Sequence, residues 1–245
     1  MPHKTETALS LILTMQPRHI LLFMKSRMFK QALDNPNLFR KKPMDDKEAE
    51  LLEKELLRIE LIATTVHFAE TFASTLLAMR KYKRFHKFLL EYKTFEIKDF
   101  YEKIPKRRLN YIAKLLQYPQ LHQVQSSELR KDFEKSIKDA RDELKLLSEF
   151  YLNWLDFYNS YKHGFRVFAS KPNPEVDDDF TMSCFLDKEK LNTVNIRITT
   201  EWVDKAFSLC EFMFKFLSNA ESIFSQRVLE KKEKFEMKIF TKNKT

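Results

Sequence analysis

Gly164 is the only glycine among the 245 residues of this chain. Glycine supplies the positive φ angles and the close backbone approach that phosphate-binding loops, dinucleotide-binding turns and tight β-turns require. Its scarcity therefore excludes sites built on glycine-rich loops and disfavours folds of many strands. Because 43% of the residues are apolar, the chain can still build a substantial core, and we predict a mainly α fold.

Apolar residues recur at steps of three and four along two long segments. In the segment 46–80 they are Leu52, Leu56, Ile59, Ile62, Val66, Ala69, Ala73 and Leu76. In the segment 127–163 they are Leu129, Phe133, Ile137, Ala140, Leu144, Leu147, Tyr151, Trp154, Tyr158 and Tyr161. This spacing predicts two long helices that each bury one face, and a similar pattern after Thr200 predicts a long C-terminal helix.

The organisation expected is an up-down helical bundle with a small β-hairpin insertion. The hairpin is predicted at about 180–199, where apolar and polar residues alternate. We expect one bundle domain over 45–238. The N-terminal residues 1–44 are expected to form a helix, ended or kinked at Pro17, followed by a basic tether. A basic tail is expected at 239–245.

Cysteine and histidine usage indicates neither a disulfide framework nor a metal site. Cys184 and Cys210 form no Cys-x-x-Cys pair, and the six histidines lack the paired spacing of zinc ligands. We therefore expect no metal, no cofactor and a reducing, cytoplasmic location. No apolar run approaches the roughly 20 residues of a membrane span, so we expect no membrane association.

The net charge of +9 is concentrated in residues 80–114. Twelve basic and four acidic residues leave +8 there, and eight aromatic residues are interspersed among them. Cations neutralise phosphates and flat rings stack on unpaired bases, so the mixture favours contact with single-stranded RNA or DNA. Arg107 and Arg108 are the candidate phosphate-binding residues. A solvated basic face around core aromatic rings would have the same composition.

The most informative stretch lies at the end of the second long helix, at 158–166. Asn159 and His163 are four residues apart and share a helix face, with Lys162 beside them and Arg166 just beyond the helix end. Histidine can act as a general acid or base near neutral pH, and the two cations can hold a phosphate. Such a set would suit metal-free RNA cleavage. A histidine and a lysine in a last turn also complement the helix dipole, so a structural role stays open.

This stretch resembles the motif of HEPN (higher eukaryotes and prokaryotes nucleotide-binding) domains, which reads Arg-polar-x-x-x-His near the end of a long helix. Asn159 matches the polar position and His163 the histidine, whereas Tyr158 stands where the family has arginine. The resemblance covers 46–80, 127–166 and the final helix. It implies a helical bundle, often a homodimer, in a family with many metal-independent ribonucleases.

The resemblance also assigns roles to residues of this chain. It implies that His163 is the acid or base, that Asn159 positions groups, and that Lys162 or Arg166 replaces the missing arginine. HEPN domains often place a polar or acidic residue on an earlier helix near the site, and Glu70 is the candidate here. Glu70 could equally be a residue of a helix face that reaches solvent.

We therefore expect an RNA- or nucleotide-binding protein, with a degenerate metal-independent endoribonuclease site and a homodimeric assembly. The alternative is a non-catalytic helical interaction module that uses its basic face to dock an acidic protein partner.

Overall fold

The computed structural model describes residues 3–36, 38, 47–81, 92–119, 124–162, 167–169, 180–186 and 193–226. Six α-helices account for most of these residues, and the predicted mainly α class is confirmed. The helices are α1 His3–Asp34, α2 Lys47–Arg80, α3 Thr94–Lys103, α4 Leu109–Leu115, α5 Ser127–Lys162 and α6 Thr200–Phe224. A 3₁₀ turn, Ile104–Lys106, lies between α3 and α4.

Hydroxyl side chains cap the starts of α5 and α6. Ser126 Oγ accepts a hydrogen bond from the Leu129 backbone N–H at 3.3 Å. Thr199 Oγ1 accepts one from the Trp202 N–H at 3.3 Å. Each bond satisfies a backbone donor that has no partner inside the helix, which explains why both helices begin where they do.

Helix α1 runs through Pro17, so of the two expected effects, an end or a kink of the helix, the end does not occur. A proline removes only its own hydrogen bond to the preceding turn. The backbone bonds of the residues on either side hold the rest of the helix together, and α1 continues to Asp34.

Three antiparallel strands pair in the order β1-β2-β3: β1 Val167–Ala169, β2 Phe180–Leu186 and β3 Thr193–Thr199. The β2–β3 register runs from Phe180 opposite Thr199 to Leu186 opposite Thr193. In the β1–β2 pair, Val167 lies opposite Phe185. Strand β1 was not predicted, because three residues are too few to show an alternating pattern.

The chain divides into two compact units. The first unit comprises Met1–Ile20, Ala69–Leu152 and Glu211–Thr245. Aromatic rings fill its interior: Phe72 of α2 lies 5.3 Å from Phe216 of α6, and Tyr101 of α3 lies 4.3 Å from Tyr151 of α5, centroid to centroid. Such close ring pairs stabilise a core beyond the area that they bury.

The second unit comprises Leu21–Phe68 and Asn153–Cys210. Its core contains Trp154 of α5, whose ring lies 5.5 Å from that of Phe157 and 5.5 Å from that of Trp202 on α6. The buried Cys210 thiol lies 3.3 Å from Thr65 Oγ1 on α2 and is not in a disulfide.

The predicted apolar stripes are buried over most of their length. From Ile59 to Leu76 on α2 and from Phe133 to Tyr158 on α5, every stripe residue is buried. Leu52, Leu56 and Leu129 are exposed instead, so the predicted burial of these three residues is wrong. The spacing of apolar residues identifies the apolar face of a helix. Whether that face is buried depends on the other elements of the chain that pack against it.

Within the described residues, one helical stretch, Ala49–Arg80 of α2, is long and apolar enough to cross a membrane. In its most apolar window 89% of the residues are buried inside the protein. Burial of this kind is the property of a core helix, because a membrane span would present its apolar side chains to lipid.

Candidate functional site

The motif at the end of α5 is described as far as Lys162. Asn159 is half-buried and Lys162 is exposed, and both belong to the second unit. They are three residues apart and therefore lie on neighbouring positions of one helix face. His163 and Arg166, the predicted acid or base and phosphate contact, lie outside the described residues.

Tyr158, which occupies the motif's arginine position, is part of the core of the second unit. Its side chain is 3% exposed. The ring stacks with that of His67 from α2 at a centroid distance of 6.2 Å and with that of Tyr161 at 6.4 Å. Lys162 Nζ lies 4.3 Å from the centroid of the Tyr158 ring. The only cation described in the motif is thus held against an aromatic face.

A carboxylate on α2 connects this end of α5 to α1. The Tyr161 hydroxyl donates a hydrogen bond to Glu60 Oε1 at 2.6 Å, and Lys25 Nζ lies 3.3 Å from Glu60 Oε2. Burial, followed by the hydrogen bond and charge of Glu60, raises the pKa of Tyr161. No sequence pattern singles out Glu60 or His67, because both lie about 90–100 residues before their partners and only the tertiary fold pairs them.

Glu70 lies in the first unit and is buried, so the alternative that it reaches solvent is wrong. Its charge acts on three tyrosines of the same unit. Burial most of all, and also the charge of Glu70, raises the pKa of Tyr92, of Tyr101 and of Tyr151. The Tyr101 hydroxyl donates to the Ala69 carbonyl at 2.7 Å. Glu70 is therefore a buried carboxylate next to phenol groups.

A second buried polar group in the first unit is centred on His19. Its Nδ1 lies 3.0 Å from Glu221 Oε1 of α6, and its Nε2 lies 3.3 Å from Thr75 Oγ1 of α2. Thr75 Oγ1 also donates to the Thr71 carbonyl at 2.8 Å. All of these side chains are buried. The contacts fix the imidazole ring and connect α1 with α2 and α6, which is a structural use of a histidine that no spacing rule singles out.

Glu55 is a buried carboxylate on α2 in the second unit. Its side chain is 8% exposed, and Oε2 has no hydrogen-bond partner among the described residues. Burial raises the pKa of Glu55 to about 7, although the charge of Arg58 opposes the increase. Ionisation of this carboxyl near neutral pH therefore costs stability.

Arg107 and Arg108, the predicted phosphate contacts, are exposed in the first unit. Together with Lys106 and Lys114 they form an exposed group of cations that we call the basic surface. No carboxylate among the described residues pairs with any of the four. Nearby acids are engaged elsewhere: Asp99 lies 2.5 Å from Lys103, Glu102 lies 3.9 Å from Lys98, and Glu96 accepts a hydrogen bond from the Lys93 N–H at 3.0 Å.

Arg107 of the basic surface and Arg80, which is outside it, share one tyrosine ring. Arg80, the last residue of α2, has its Cζ 4.5 Å from the centroid of the Tyr111 ring, and Arg107 has its Cζ 4.8 Å from the same centroid. Arg80 Nη1 also donates to the Tyr111 hydroxyl at 2.7 Å. Arg80 and Tyr111 belong to the basic segment 80–114 that the sequence analysis singled out, but their association with Arg107 was not predicted, since the fold alone brings the end of α2 to α4.

No group of three or more metal-ligating side chains occurs in the described part of the chain. No protein-family model, curated protein or solved structure matches the chain.

Proposed function

We propose that this protein binds RNA through the basic surface of its first unit. The observation that supports the proposal best is that Lys106, Arg107, Arg108 and Lys114 are exposed, with no acidic partner among the described residues. Exposed cations of one sign attract polyanions, and neutralised phosphates release counterions into solution, which favours binding.

An aromatic side chain close to the basic surface in sequence suits unpaired bases. Phe95 is 65% exposed, which is unusual for so large an apolar ring, and Lys93 Nζ lies 5.9 Å from its centroid. An exposed ring next to a cation can stack on a base while the cation contacts the backbone. We therefore assign single-stranded RNA, rather than duplex, as the ligand.

HEPN-like cleavage belongs to the proposal as a degenerate activity. Tyr158 supplies no positive charge at the motif's arginine position and is buried against His67. Lys162, whose Nζ lies over the Tyr158 ring, is the cation of the described part of the motif, and His163 would be the acid or base with Asn159 positioning groups. Binding is therefore the primary function proposed, with slow metal-independent cleavage as the second.

The same proposal places the protein in the cytoplasm as a homodimer, in keeping with the HEPN resemblance and with two cysteines that suggest no disulfide framework. The competing function is docking of an acidic protein partner. Its support is the same set of exposed cations, so a direct measurement of RNA binding has to separate the two.

Charge reversal with a matched control tests the proposal. Fluorescence anisotropy of a labelled single-stranded RNA would compare the wild type, the double variant Arg107→Glu/Arg108→Glu and the control Lys135→Glu/Lys138→Glu. The control residues are exposed on α5, and the change in net charge is the same. We expect a loss of affinity of more than tenfold for the first variant and at most a few fold for the second. Equal losses in the two variants would show that binding depends only on net charge and not on this surface. If the wild type did not bind RNA, the alternative function, docking of an acidic protein partner, would be favoured.

A further inference from the structure

The pair of arginines that shares the Tyr111 ring is held in place by three separate elements. Arg80 ends α2, Tyr111 lies in the first turn of α4, and Arg107 precedes α4 by two residues. The backbone on both sides is fixed: the Arg107 N–H donates to the Ile104 carbonyl at 3.1 Å, and the Tyr111 N–H donates to the Arg108 carbonyl at 2.9 Å.

This arrangement brings two positive charges to one ring. The negative face of the tyrosine ring attracts each guanidinium and offsets part of their mutual repulsion. No carboxylate lies within ion-pair distance of Arg80 or Arg107 in the described part of the chain. An anion that met both cations would therefore be favoured by the charges already assembled there.

The geometry of the two guanidinium groups also suits one kind of anion, a phosphate. Each guanidinium carries five N–H donors in a planar fork, and the hydrogen bond to the Tyr111 hydroxyl uses one donor of Arg80. Planar forks match the oxygens of a phosphate in a bidentate manner, which the ammonium group of lysine cannot do. The ring contacts restrict both side chains before the anion arrives, so less conformational entropy is lost on binding.

We infer that Arg80, Tyr111 and Arg107 form a binding site for one phosphate group, which in the cell is a phosphate of single-stranded RNA. The identity of that ligand rests on the proposed function. The site itself rests on the geometry of the three side chains. It differs from Lys106, Arg108 and Lys114, the other residues of the basic surface, because it recognises the shape of the phosphate as well as its charge.

Substitution of arginine by lysine separates the contribution of the guanidinium shape to phosphate binding from that of its charge. Arg107→Lys keeps the charge and removes the fork, and Arg27→Lys is the matched control at an exposed arginine of α1 that is not part of the basic surface. At constant salt we expect Arg107→Lys to weaken binding of a single-stranded RNA about tenfold. The slope of affinity against salt should stay near that of the wild type. Tyr111→Phe, which keeps the ring but frees Arg80, should cause a smaller loss.

Pyrophosphate provides a test that does not depend on RNA. It should raise the melting temperature of the full chain, and the increase should be much smaller for Arg107→Lys than for Arg27→Lys. If RNA binding is salt-sensitive but Arg107→Lys and Arg27→Lys behave alike in both assays, the phosphate site is overturned while the proposed function stands. If RNA does not bind but pyrophosphate stabilises the wild type and not Arg107→Lys, the site stands and the proposed function fails.

Discussion

The hydroxyl of Tyr161 donates a 2.6 Å hydrogen bond to Glu60 Oε1, which connects the last turn of α5 to the middle of α2. We predict that Tyr161→Phe lowers the free energy of unfolding by about 1 kcal/mol at pH 7, because the bond to a charged acceptor is lost. Urea denaturation of Tyr161→Phe, Glu60→Gln and the double variant measures the coupling. Losses that simply add in the double variant would contradict the pairing.

The same bond has a defined pH dependence. The folded state holds the Tyr161 proton more tightly than the unfolded chain does, because its pKa is raised above the ordinary 10.0. The contribution of Tyr161 to stability is therefore complete below about pH 10 and decreases as the pH rises further. The difference between wild type and Tyr161→Phe should be smaller at pH 11 than at pH 7, whereas an unchanged difference would show that the tyrosine proton is not linked to folding.

Sequence patterns predicted the helices where the signal is local. The three- and four-residue periods predicted segments 46–80 and 127–163, and the structure has α2 at Lys47–Arg80 and α5 at Ser127–Lys162. Local rules failed where the rest of the fold decides. Pro17 lies inside α1, and Leu52 is exposed although it lies on the apolar stripe.

The candidate site shows the same division. Arg107 was selected from charge and composition, which are properties of a short segment. Its association with Tyr111 and Arg80 depends on the approach of the end of α2 to α4, and no spacing in the sequence encodes that approach. The apolar stripe predicts that Tyr158, at the motif's arginine position, is buried. Its stacking with His67 joins residues about 90 positions apart, so only the structure reveals which side chain packs against it.

The raised pKa of Glu55 predicts that a variant with a neutral side chain at this position is more stable than the wild-type protein at alkaline pH. The pKa of Glu55 is raised to about 7, so the folded state binds its proton more tightly and stability falls as the pH rises from about 4.5 to 7. Glu55→Gln should therefore raise the free energy of unfolding by about 2 kcal/mol at pH 8 and by little at pH 5. The control is Glu149→Gln at an exposed position of α5. Equal effects of Glu55→Gln at both pH values would rule out a buried titrating carboxyl.

The backbone conformation at Gln117 predicts that its substitution by glycine stabilises the protein. Gln117 follows the end of α4, and its φ angle of 60° is in the left-handed region. Glycine is the residue usually found in this conformation after a helix. We expect Gln117→Gly to raise the free energy of unfolding by about 0.5–1 kcal/mol. The control, Gln117→Ala, also loses the 3.2 Å bond from Gln117 Nε2 to the Lys114 carbonyl but keeps the Cβ atom. Thermal denaturation should rank glycine above alanine, and the reverse order would contradict a strained backbone.

The role proposed for His163 predicts the outcome of an RNA-cleavage assay. If it is the acid or base of a HEPN-like site, His163→Ala should reduce RNA cleavage by about two to four decades while leaving RNA affinity nearly unchanged. Chelators should have no effect on the rate. Arg166→Ala should impair cleavage if Arg166 replaces the missing arginine. A protein that cuts no RNA, and whose melting temperature merely falls in His163→Ala, would have a structural histidine at this position.

The salt dependence of RNA binding by the wild-type protein tests the central claim most directly. Four cations of the basic surface, Lys106, Arg107, Arg108 and Lys114, lack an acidic partner among the described residues. Neutralisation of about four phosphates predicts that the logarithm of the association constant falls with the logarithm of salt concentration with a slope of about −3. Anisotropy titrations of a single-stranded RNA between low and physiological salt measure this slope. We expect a steep fall that becomes shallower by at least about one in Arg107→Glu/Arg108→Glu; binding that is indifferent to salt, or absent even at low salt, would contradict an RNA-binding role for this surface.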